Sequence, residues 1–236
     1  MRTYFSVFAI PLCMMLAASP VRALDDTDDL KAVAIEALIT APENRALPIV
    51  TKLLRSDEDV DLKSRALFVL GQMRSNDAVS LIVEMAQSQD PAIQSEAIRM
   101  IGVGGNRVAL DAIKEIYLTG DRDVRKSVLE AYLIAGDSDG ILKIAQSAES
   151  SEDFEDAVEM LGAMGASAEL TALRGQFGSS EALIDAYGVA GDFDSLASIA
   201  QDNSDPDAQI QALQGLGIVG GERVGELLSR IFRTTP

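Results

Sequence analysis

The chain has 236 residues, 47 % of them apolar, which is length enough for one or two domains whose core needs neither a metal nor a disulfide to hold it. Thirty-seven acidic against 20 basic side chains give a formal charge of −17, a field that repels phosphate backbones and anionic lipid headgroups and so excludes an electrostatic nucleic-acid or membrane-surface binder. There is no His and one Cys, which removes Ser-His-Asp and Cys-His nucleophile systems and the commonest metal ligand.

Residues 1–23 read as an export leader. Arg2 supplies a positive start, Phe5 to Ala18 an apolar run, and Val21-Arg22-Ala23 a cleavage sequence, predicting maturation after Ala23. The run is short and broken by Pro11, whereas a membrane span needs roughly 20 apolar residues, so no stable membrane insertion is expected after cleavage. Cys13 lies inside the run behind Pro11-Leu12, without the small residue that precedes a lipid-modified cysteine. Cleavage leaves a chain with no thiol, compatible with an oxidising periplasmic or otherwise exported setting. It also removes Arg2 and Arg22 and no acid, so the mature chain is more acidic still.

Residues 24–56 are expected to form an N-terminal capping helix pair, Leu30 to Ile39 and Arg45 to Leu54, joined through Ala41-Pro42. From residue 57 one pattern recurs: Asp, an apolar residue at +3, a small residue at +7, an apolar residue at +11, then Gly. Asp59, Leu62, Ala66, Leu70 and Gly71 make the first copy, Asp90, Ile93, Ala97, Ile101 and Gly102 the second. At the same interval again come Asp121, Val124, Val128 and Tyr132, with Leu133 in place of Gly. Asp205, Ala208, Ala212, Leu216 and Gly217 repeat the pattern near the end. Apolar residues four apart share one helical stripe, and Asp with a following Pro, as in Asp90-Pro91 and Asp205-Pro206, starts a helix. A second apolar set follows each time: Val79, Ile82 and Met85; Leu110, Ile113 and Ile116; Ile141 and Ile144.

Ala131 to Asp137 and Ala186 to Asp192 are nearly the same words, marking two shortened units, and a drifted unit with Phe154, Ala157, Leu161 and Gly162 lies between them. The repeats divide at about 57–89, 90–120, 121–149, 150–177, 178–203 and 204–236. With the capping pair this predicts an all-α solenoid of about seven helix-turn-helix repeats.

The pattern resembles the HEAT-repeat superfamily, especially its short, phycobilisome-lyase-type variety, over nearly all of the mature chain. That resemblance implies a right-handed superhelix of paired helices with no cofactor. The family commonly places a basic residue after the +3 position; Lys63 and Arg125 match and Gln94 and Gln209 do not, which speaks against a continuous ladder of salt bridges between repeats. Metal-dependent hydroxylases of this superfamily hold iron with His-Glu pairs, and no such pair exists here.

The acid clusters at Asp57-Glu58-Asp59, Glu149 to Asp156 and Asp202 to Asp207 fall at turns and helix starts, where carboxylates cap backbone N–H groups. Asp137-Ser138-Asp139-Gly140 lacks the later ligands of a calcium loop. The glycine-rich runs 102–105 and 217–221 follow helices rather than strands, which excludes a dinucleotide loop and predicts helix caps and tight turns. Six aromatics are candidate anchors, Tyr117, Tyr132, Tyr187, Phe154, Phe177 and Phe193; Tyr117, beside the core stripe of a second helix, is the candidate partner-binding residue on the concave face that HEAT solenoids use. The expectation is a non-enzymatic scaffold presenting an acidic helical surface to an envelope protein with a basic patch. The alternative is an accessory or chaperone subunit of a cofactor-bearing or enzymatic envelope complex.

Overall fold

The computed structural model describes residues 26–202 and 204–234, so the leader over 1–23 and its cleavage after Ala23 lie outside the described residues. Within them the chain is an all-α repeat solenoid of fourteen α-helices in seven antiparallel-connected pairs. The first helices of the pairs are α1 (Asp26–Ala37), α3 (Val60–Gly71), α5 (Pro91–Gly104), α7 (Arg122–Ala135), α9 (Ser151–Ala163), α11 (Glu181–Ala190) and α13 (Pro206–Val219). The second helices are α2 (Glu43–Leu54), α4 (Asn76–Met85), α6 (Arg107–Thr119), α8 (Ser138–Gln146), α10 (Ser167–Phe177), α12 (Phe193–Ala200) and α14 (Glu222–Thr234). Each first helix packs on the next first helix, so these form one layer and the second helices form the other.

The recurring Asp is a helix N-cap at every copy. Asp59 accepts from the Leu62 N–H at 2.8 Å, Asp121 from Val124 at 3.0 Å and Asp205 from Ala208 at 3.1 Å. Asp90 accepts from Ala92 at 3.0 Å, with Pro91 in the first turn where its missing N–H removes no bond. The drifted unit uses Ser150, which accepts from the Asp153 N–H at 3.1 Å. In the two shortened units Gly136 and Gly191 close the first helix in the left-handed region at φ +71°, and the Asp that follows each caps the next helix.

At position +7 the side chains of Ala66, Ala97, Val128, Ala157 and Ala212 are completely buried, and at position +8 Leu67, Ile98, Leu129 and Val158 lie as deep. A buried aliphatic side chain of this size contributes about 1.5–3 kcal/mol, so these rows hold the first-helix layer together. The core runs unbroken from Ile35 to Leu227 and contains no buried charged residue among the described residues.

The Gly after the +11 position has a different role from the one its sequence context suggests. Gly102 and Gly217 do not end their helices: α5 continues to Gly104 with Gly105 as its cap, and α13 continues to Val219 with Gly220 as its cap. What the motif glycine provides is close approach between successive first helices. A Cβ on Gly102 would lie 2.6 Å from the Ala131 carbonyl oxygen of α7, and one on Gly162 would lie 3.0 Å from the Ala186 backbone of α11. Gly71 meets Met100, and Gly188 meets Gly215, by the same rule. The +12 position of one first helix therefore meets the +10 position of the next, and the missing side chain of the glycine at +12 sets how closely successive repeats pack.

Candidate partner-binding surface

Outward from the core, each first helix shows residues spaced four apart, which places them in one stripe. On α9 these are Glu155, Glu159 and Ala163, on α11 Glu181, Asp185 and Val189, and on α13 Ile210, Gln214 and Ile218. Between α9 and α11 the stripes border a groove of ≈430 Å³ lined by Glu155, Glu159, Glu181 and Asp185 together with Ala182, Ala186 and Val189. None of these four carboxylates is ion-paired among the described residues.

A second recess lies on the same layer toward the N-terminus, ≈460 Å³ in volume, lined by Glu36, Ile39, Ser64, Arg65, Phe68, Glu96 and Arg99. Its acids are already matched. Arg65 pairs with Glu36, and Arg99 makes a two-pronged pair with Glu96 at 2.6 and 2.9 Å. One face of the solenoid thus has a neutralised half and an acidic half. Phe68, 42 % exposed at the recess, was not among the aromatic candidates read from sequence. Its signal was its +9 position, which points away from the buried rows at +7 and +8.

The sequence candidate Tyr117 is corrected by the structure: it is 5 % exposed and offers no ring to a partner. It follows Ile116 on α6, and both side chains are buried where α6 packs against its neighbours, α7 among them. Burial, with the nearby Asp153 charge second, pushes its hydroxyl up to about 12. Among the described residues that hydroxyl has no hydrogen-bond partner. Tyr132 is also buried, but its hydroxyl donates to the Leu110 carbonyl at 2.9 Å, tying α7 back to α6. Burial, then Asp137, pushes it up to about 12 as well.

Tyr187 is wholly buried, Phe154 and Phe177 meet edge to face with centroids 5.2 Å apart, and the Arg223 guanidinium sits 4.0 Å over Phe193. These contacts tie helices of the stack together, while Phe177 itself remains 48 % exposed. The Asp137 to Gly140 segment is likewise structural. Asp137 accepts from the Gly140 N–H at 3.0 Å, and a Cβ on Gly140 would run into the Tyr132 ring.

Ion pairs between repeats are present but do not follow the expected motif row. Of the two matching residues, Arg125 bridges to Asp153 at 3.1 Å. The others join positions the motif does not mark: Lys31 with Glu58, Arg55 with Glu84, Arg122 with Glu152 and Arg223 with Asp194. These pairs are exposed and individually worth about 0–1 kcal/mol. Among the described residues no helix is long and apolar enough to cross a membrane, and no group of three potential metal ligands converges.

Comparison with known proteins gives one family match: residues 47–133 match the model of HEAT repeats, the stretch from the end of the first pair through α7. No curated protein matches the chain. Among solved structures, the complex of CpcE and CpcF of phycocyanin lyase from Nostoc sp. PCC7120 is 16 % identical, with 95 % of this chain and 97 % of that chain covered and a TM-score of 0.40. An engineered protein is 18 % identical, with 84 % and 92 % covered and a TM-score of 0.35.

Proposed function

We propose that this HEAT-repeat solenoid is an exported, non-enzymatic interaction scaffold whose α9–α11 groove receives a basic segment of another envelope protein. The observation that carries the reading is the contrast along one face. Four carboxylates beside Ala182, Ala186 and Val189 have no ion-pair partner among the described residues, while acids in the corresponding recess on α1, α3 and α5 are neutralised by arginines. Lysine or arginine side chains would find the carboxylates, and an apolar residue between them would find Ala182, Ala186 and Val189. Exposed charges of this kind add more to encounter rate and selectivity than to affinity, so binding should weaken steeply with salt. Paired-helix repeats commonly serve as extended binding surfaces, which agrees with the reading.

The test uses a lysine-rich amphipathic peptide followed by fluorescence anisotropy, together with capture from envelope extract at low and moderate salt. Glu159→Lys combined with Asp185→Lys should abolish peptide binding and lose the same captured partner. Undiminished binding by that double variant would sink the groove assignment. Export is tested separately by N-terminal sequencing of the expressed chain: a start at Leu24 in the exported fraction supports it, and an intact Met1 in the cytoplasm refutes it.

A further inference from the structure

Terminal repeats of a solenoid ordinarily carry polar outer faces, because nothing stacks on them. Among the described residues, α13 and α1 each carry apolar side chains on a side that no other helix covers. At the C-terminal end, α13 keeps the full joint chemistry of an interior repeat. Gly217 occupies the +12 position that in α3, α5, α9 and α11 meets the next first helix, yet a Cβ there would meet nothing within 4 Å. Leu213, at the +8 position that is buried in interior copies and one turn before Gly217, is only half-buried.

The N-terminal end offers a complement. On α1, Leu30, Val33, Ala34 and Ala37 are all exposed, and their spacing of three and four places them on one helical stripe, while Ile35 faces inward. Ala34 and Ala37 are the same kind of small residue that Ala131, Ala186 and Gly215 present to the preceding glycine at three of the four interior glycine joints, Met100 standing at the fourth. Leu30 and Val33 supply apolar area beside them, as the side chains at position +8 do inside the stack.

We propose that the α13 end of this chain receives the α1 face of a second copy, with Ala34 and Ala37 seated at Gly217, so that copies stack head to tail. The contact continues an interface already repeated along the molecule, with the same glycine-to-small-residue approach. Because the two patches differ, the contact is heterologous, and it extends into an open stack unless rotation closes it. It is independent of the proposed groove and has the opposite salt dependence. Two copies of an acidic chain repel, so screening strengthens their stacking, whereas screening weakens capture of a basic segment.

The test is sedimentation equilibrium of the full chain from about 1 μM to about 500 μM at low and high salt. The mass of the unmodified chain should rise with concentration past that of a dimer, more so at high salt. Gly217→Arg blocks the receiving end, and Val33→Glu blocks the inserting face. Both positions are open in the single chain, so neither substitution should lower the thermal unfolding midpoint or the helical circular dichroism, and Gly217→Arg should raise stability slightly by removing a helical glycine. Each variant alone should stay monomeric, its association weakened at least ~10-fold. An equimolar mixture of the two should form a dimer and stop there, since it contains one intact end of each kind. A monomeric unmodified chain across the whole range, self-pairing of Gly217→Arg, or a mixture that does not pair would each overturn the proposal.

Discussion

Gly102 and Gly217 stand at the same position of the same motif, each directly after the apolar +11 residue of a first helix. At Gly102 the next repeat presses its backbone against the glycine; at Gly217 the surface is open. The same motif position is therefore a packing requirement at Gly102 and an open surface at Gly217. Stability in a stack of this kind belongs to the interfaces between repeats as much as to the repeats themselves.

The sharpest way to separate the two positions is to place the same methyl group at each. Gly102→Ala should lower stability by about 2–3 kcal/mol, since the Ala131 backbone has to retreat and the α5–α7 joint opens. Urea unfolding measures it, and an unchanged midpoint would remove the packing role assigned to the motif glycine.

The tyrosines of the interior provide the next comparison. Tyr132→Phe should lose about 1–2 kcal/mol, because it leaves the Leu110 carbonyl without its buried donor. Tyr117→Phe should lose less than half as much, its hydroxyl having no hydrogen-bond partner among the described residues. Both phenols are raised from 10.0 to about 12 in the folded chain. Folding therefore favours their neutral form, and this contribution is fully present below pH 10 and is lost as pH rises toward about 12. Alkaline titration of the Tyr117→Phe, Tyr132→Phe double variant should show a shallower loss of stability over that window than the unmodified chain. An identical loss would mean that neither phenol is coupled to folding.

Smaller effects test whether local and tertiary contributions separate. Asp90→Ala and Asp205→Ala each remove an N-cap of the same geometry and should each lower stability by about 1 kcal/mol, one in the interior and one at the end. A much smaller loss at Asp205 would show that the last repeat is already frayed in solution. The smallest change is Gly217→Ala, which should raise stability by about 0.5–1 kcal/mol by removing a helical glycine without meeting a neighbour. A loss there, measured below the concentration at which copies associate, would mean that the end joint is not open.

Helix formation and repeat order were legible because their causes are local. The Asp caps, the Pro in the first turn and the apolar spacing of four act within one or two turns of chain, and each lies where the pattern placed it. Functional surfaces were harder to read because the same residue type serves opposite ends. Glu36, Glu96, Glu159 and Asp185 are all exposed-stripe acids by spacing, and nothing local to them tells which have an arginine waiting on their own or a neighbouring helix. Tyr117 failed as an anchor for a related reason. Adjacent residues on a helix differ by about 100°, and whether that turn reaches solvent depends on how far the next helix wraps around it.

By itself, then, the sequence determined the helical pairs, their caps and their stacking as a solenoid, since backbone satisfaction and apolar periodicity are properties of a single segment. Only the tertiary structure decided which acids are neutralised, which aromatics are interior and which glycine is in contact, because each depends on the distance between segments a whole repeat apart in the chain. That distance is set by the missing side chain of the glycine at the joint between one repeat and the next.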